Sequence, residues 1–139
     1  MLEARAKLLQ ERLTSLADRV MEIKGLVLID PNGLPMVSTL HSQSLEEALG
    51  AFGASAVGQM ERAQADFEMG PLYLLHLAGR DRQLFVTPLT PEVALLAIAE
   101  AGATASTVTL HLLGLCREIL SVLQSDNAEN AGTEDEAMA

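Results

Sequence analysis

The run Ile23-Lys24-Gly25-Leu26-Val27-Leu28-Ile29 limits this chain more than any other stretch, because its apolar residues do not alternate with polar ones. Successive side chains of a strand point to opposite faces, so Ile23, Val27 and Ile29 are expected on one side and Leu26 and Leu28 on the other. Both sides then need cover, which predicts a central strand with helices packed above and below it. Asp30-Pro31-Asn32-Gly33 follows: Pro31 fixes φ, Gly33 tolerates a positive φ, and Leu34 to Thr39 resumes a strand. The pair reads as a tight hairpin.

A chain of 139 residues with 49% hydrophobic content is long enough for one domain with a real core and short for two. Five of its 19 acidic residues, Asp126, Glu129, Glu134, Asp135 and Glu136, lie in 125–139, where there is no Lys or Arg. The remainder carries 14 acidic against 9 basic residues, so it offers no basic stripe for phosphates, and neither nucleic acid nor an anionic membrane surface is an expected partner. Glu3, Arg5, Lys7, Glu11 and Arg12 occupy the place of a signal peptide's apolar segment, and no run is expected to reach the length of a membrane span. Cys116 stands alone, which excludes an intrachain disulfide and a cysteine metal cluster and points to the cytoplasm.

Ala6, Leu9, Leu13, Leu16 and Val20 recur at spacings of three and four, predicting an amphipathic helix over 3–20. Leu2 and Leu8 widen the stripe, so a coiled-coil arm is the alternative to a core helix. After the hairpin, Ser44 with Glu47 reads as a capping box opening a helix from about Leu45 to Phe67. Leu45, Leu49, Phe52, Ala56, Met60, Ala63 and Phe67 form its expected core stripe. Gly50, Gly53, Ala54, Val57 and Gly58 cluster on a neighbouring face, although each interior glycine costs about 1 kcal/mol against alanine. Such a face lets another backbone approach, either the chain's own sheet or a helix of a second subunit.

Gly70-Pro71 ends that helix, Leu72 to Leu77 reads as a third strand, and Gly79-Arg80-Asp81-Arg82 as a polar turn into a fourth strand, Leu84 to Thr87. Pro88-Leu89-Thr90-Pro91 connects to Val93 to Ala99, apolar at every position and the second candidate for the middle of the sheet. Val108, Leu112, Leu115, Ile119 and Leu123 give a last helix from about Thr104 to Leu123. Residues 1–124 then form one α+β domain of order α-β-β-α-β-β-β-α, and 125–139, rich in acids and without periodicity, reads as a disordered acidic tail.

This order, the Gly25-Leu26-Val27-Leu28-Ile29-Asp30 strand with its Asn32-Gly33-Leu34 turn, the long second helix and the meander from Pro71 to Ala99 resemble the roadblock/dynein light chain family over about residues 3–124. Profilin-like and longin-like domains share much of the layout. The resemblance implies a five-stranded antiparallel sheet between helices, the second on one face and the first and last on the other. It also implies a homodimer made by pairing of the third strands, here Leu72, Tyr73, Leu74, Leu75 and His76, and by contact of the second helices around Gly50, Gly53, Ala54, Val57 and Gly58. Physics points the same way, since a border strand without Lys or an internal Pro lacks the usual protection against pairing with another chain.

Roadblock proteins are regulators and scaffolds of small Ras-like GTPases, so the resemblance implies a non-enzymatic binding module without a cofactor. Glu47, Ala51, Ala54, Gly58, Glu61 and Arg62 are its expected GTPase-facing residues, chosen by helix phase. The alternative is a profilin- or longin-like sensor domain holding a small apolar ligand in an enclosed cavity between sheet and helix. Catalytic signals are sparse: there is no P-loop motif, and His41, His76 and His111 lack metal-ligand spacing. Cys116 falls on an apolar helix face, where a thiol is packing, and Arg80 and Arg82 are either surface charge or a hairpin tip offered to a partner's phosphate.

Overall fold

Strands β1 (Ile23–Ile29) and β5 (Val93–Glu100) lie side by side in the interior of a five-stranded antiparallel sheet, as their uninterrupted apolar character requires. The computed structural model describes residues 2–138, with side chains for residues 3–125. The remaining elements are α1 (Leu2–Arg19), β2 (Pro35–Ser38), α2 (Gln43–Asp66), β3 (Leu75–Ala78), β4 (Arg82–Thr90) and α3 (Ala105–Met138), and the strand order is β2-β1-β5-β4-β3. The acidic tail expected at 125–139 lies, beyond Ser125, outside the described side chains.

Each sheet face carries its own core. Leu9, Leu13 and Leu16 of α1 and Val108, Leu112, Leu115 and Ile119 of α3 pack on Leu26, Leu28, Phe85, Leu95 and Ala97. Leu9, Leu13 and Leu16 are almost wholly buried, each contributing about 2 kcal/mol, which makes α1 a core helix and not a coiled-coil arm. Ala56 and Met60 of α2 cover Val27, Ile29, Val86, Ala94 and Leu96 on the other face. Residues Ala105–Ser125 are, contrary to expectation, long and apolar enough by length and composition to cross a membrane; within that stretch the core residues of α3 are buried against the domain.

Several local expectations change. Ile23 joins Leu26 and Leu28, not Val27 and Ile29, because Ile23 pairs with Ala99 while Gly25 pairs with Ile98, and this bulge at Lys24 reverses the alternation. The cap of α2 is Ser42 rather than Ser44: the Leu45 amide donates to Ser42 Oγ at 3.2 Å, and Glu47 instead accepts from Gln43 Nε2 at 3.1 Å. Leu45, Phe52 and Phe67, expected in the core, are exposed, because α2 turns its glycines to the sheet. β3 begins at Leu75 rather than Leu72. β4 continues through Pro88, which is tolerated there because the β3 ladder stops at Val86 and that flank of β4 is open.

The hairpin turn is as expected. Gly33 adopts φ +84°, its amide donates to the Asp30 carbonyl at 3.0 Å, and Asp30 Oδ1 accepts from the amides of Asn32 and Leu34.

Candidate protein-interaction surface

β3 is a border strand, hydrogen-bonded to β4 alone. The Gly79 amide donates to the Arg82 carbonyl at 2.9 Å, so ladder alternation turns Leu77 and Leu75 toward β4 and leaves the N–H and C=O of His76 and Ala78 pointing outward. The segment leading into this border is unusually greasy for a surface: Phe67 is 73% exposed, Met69 57% and Tyr73 66%, and Leu77 in the strand is 42% exposed. Of the residues expected to pair, Leu75 and His76 lie in the strand. Leu72, Tyr73 and Leu74 precede it, with the Leu72 amide donating to Gln64 Oε1 at 2.6 Å at the end of α2.

The border is tied inward through one side chain that the sequence pattern did not reveal. Gln83 is buried, and its Nε2 donates to the carbonyls of Glu100 at 2.9 Å and Ala103 at 2.8 Å. Its Oε1 is therefore the acceptor for His76 Nε2 at 2.7 Å, which places a proton on that ring nitrogen. The His76 ring also stacks on Phe85, centroids 4.5 Å apart. The available signal was a lone polar residue opening an apolar strand.

The glycine face of α2 divides. Gly50 and Gly53 are buried against the chain's own strands, so their expected place in a subunit contact gives way to packing within the protomer. A Cβ on Gly53 would lie 2.7 Å from Ile29 Cδ1 and 2.8 Å from Leu96 Cδ1. Gly58 has nothing within 4 Å of a Cβ position, and Ala54 and Val57 are half-buried beside it. Glu47, Ala51, Glu61 and Arg62 are exposed on the outward side of the helix. Ala54, Gly58 and Glu61 also line a recess of about 210 Å³ whose far wall is the Thr90–Ala94 stretch.

Among the described residues no group of three or more His, Cys, Asp or Glu is placed to hold a metal. Burial pushes the Cys116 thiol up from its ordinary 9.0 to about 11, leaving it protonated and inert near neutral pH. Arg80 Nε sits 3.2 Å from Asp81 Oδ1 in an exposed ion pair. What this surface offers is a backbone ladder, an apolar rim and an outward helix face, the means by which proteins bind one another.

The Roadblock/LC7 domain model matches residues 9–99. The chain belongs to this family. A comparison with curated proteins gave no match. Among solved structures, MglB of Myxococcus xanthus is similar at TM-score 0.78 and 18% identity, covering 86% of this chain and 90% of that one. A structure described as MglB with a tetrameric arrangement matches at TM-score 0.77 and 14% identity, covering 88% and 92%. Profilin IA of Acanthamoeba castellanii is similar at TM-score 0.55 and 11% identity, covering 81% and 96%, so this roadblock domain shares the profilin-like layout of sheet and helices.

Proposed function

We propose that this roadblock domain is a non-enzymatic, homodimeric regulator or scaffold of a small Ras-like GTPase, working in the cytoplasm. The observation that carries the reading is the half-paired β3: a border with outward N–H and C=O groups at His76 and Ala78, next to exposed Phe67, Met69, Tyr73 and Leu77. Antiparallel pairing with the same strand of a second copy satisfies those backbone groups and covers the apolar rim. Val57, Gly58 and Ala54 of α2 join the contact in place of Gly50 and Gly53, which are used internally. Family membership supports the GTPase as partner, and the exposed α2 residues Glu47, Ala51, Glu61 and Arg62, with Ala54 and Gly58, form the platform that meets it. A relative described as adopting a tetrameric arrangement supports self-association in general.

Two measurements test the reading. Light scattering at micromolar concentration is expected to give twice the 14.8 kDa chain mass, and a clean monomer would count against the dimer. Pull-down against Ras-like GTPases loaded with GDP or GTP is expected to show nucleotide-dependent capture, and no capture in either state would sink the GTPase assignment.

A further inference from the structure

The sheet has two borders, and they are built differently. At β3 the outward backbone groups face solvent. At β2 they do not. The Thr39 amide donates to the Leu26 carbonyl at 2.9 Å, so alternation turns the N–H and C=O of the preceding residue, Ser38, away from the sheet. Gln10 reaches across from α1 and meets both: its Nε2 donates to the Ser38 carbonyl at 2.7 Å, and its Oε1 accepts from the Ser38 amide at 3.4 Å. One carboxamide thus supplies the donor and acceptor that a neighbouring strand would present. Thr14 Oγ1, one helical turn on, accepts from the same Nε2 at 3.3 Å and helps to orient it. The rest of β2 is a poor template, since Leu28 pairs with Val37 and Ile29 with Pro35, leaving Met36 bulged.

We propose that Gln10 seals the β2 border against a second copy, so that the sheet grows at β3 alone. The consequence is a question of closure. With both borders open, identical copies joined β3 to β3 and β2 to β2 would extend into a ribbon without end; with one sealed, growth stops at a pair. Gln10 acts through the Ser38 backbone and is a positioning residue for assembly. The inference rests on the proposed β3 pairing only for the number at which growth stops.

The test is Gln10→Ala in the full chain, followed by sedimentation velocity. Species heavier than two chains are expected to appear at about tenfold lower concentration than in the unaltered protein. In a Leu77→Lys background, which charges the β3 border, Gln10→Ala is expected to form pairs where Leu77→Lys alone stays monomeric. Adding Met36→Lys, which charges the β2 border, should reverse the growth in both backgrounds. An unchanged mass distribution with intact thermal melting overturns the proposal, and so do heavy species that persist with Met36→Lys. Should Gln10→Ala fail to fold, Gln10→Asn, too short to span the gap, is read by amide exchange: the Ser38 amide is expected to lose about tenfold protection, and unchanged exchange rejects the seal. A monomeric unaltered protein would sink the dimer reading alone, because pairing of the double variant through β2 would still sustain this one.

Discussion

Gly33 and Gly50 meet backbone to backbone: a Cβ on Gly33 would lie 2.6 Å from the carbonyl oxygen of Gly50, and a Cβ on Gly50 would collide with the carbonyl oxygen of Gly33. No side chain stands between the β1–β2 turn and α2. Gly50→Ala is therefore expected to destabilise the domain by about 2 to 3 kcal/mol, read as a lower urea midpoint with an unchanged slope. Gly58→Ala serves as the counterpart, because open space surrounds that position. It is expected to raise stability by about 1 kcal/mol through helix propensity.

Ala78→Pro removes an outward N–H from β3 without touching the bonds to β4. Light scattering should report a shift from dimer to monomer while the far-ultraviolet circular dichroism stays the same. A dimer of unaltered affinity would show that the border is not the contact.

On α2, Glu61→Arg reverses a charge on an exposed side chain, and Gly58→Trp fills open space, so neither should disturb the core. Each is expected to abolish GTPase capture in pull-down with the fold intact. If capture and self-association both survive in both variants, the platform lies elsewhere.

Gln83→Leu replaces an amide that serves two backbone carbonyls and His76. The carbonyls of Glu100 and Ala103 would lose this donor, and the expected cost is about 1 to 3 kcal/mol by urea denaturation. His76→Ala, on the exposed side of the same relay, should cost less.

Alkaline pH should weaken the fold through Cys116. Its folded thiol titrates at about 11 against an ordinary 9.0, so between those values the unfolded chain has released a proton that the folded chain retains. Stability then falls as pH rises, by about 1.4 kcal/mol per unit across that window, and is unaffected by this group below it. Cys116→Ala should flatten that part of the profile. Thiol-reactive reagents at neutral pH should label Cys116 only on unfolding.

The layered architecture was legible because both interior strands are apolar on both faces and the hairpin turn carries its own chemistry in Asp30 and Gly33. The family resemblance rested on those features, and the match over residues 9–99 agrees with it. Periodicity held on α2 at Ala56 and Met60 and failed nearer its start, where the buried positions are Gly50 and Gly53, with no side chain to bury. A count of apolar positions therefore assigned Phe52 and Phe67 to the interior, where the glycines let the helix sit down on Ile29 and Leu96. Alternation failed at Ile23, since nothing in the order of residues marks the extra one at Lys24. Gln10 and Gln83 escaped notice because each acts on backbone atoms distant in the chain.

The carboxamide of Gln83 gears the open rim of the sheet to the loop that launches α3. His76 cannot shift by an ångström without breaking a 2.7 Å bond or dragging the amide from the Glu100 and Ala103 carbonyls. A partner that presses on His76 would therefore load the amide that holds the Glu100 and Ala103 carbonyls, two residues ahead of α3.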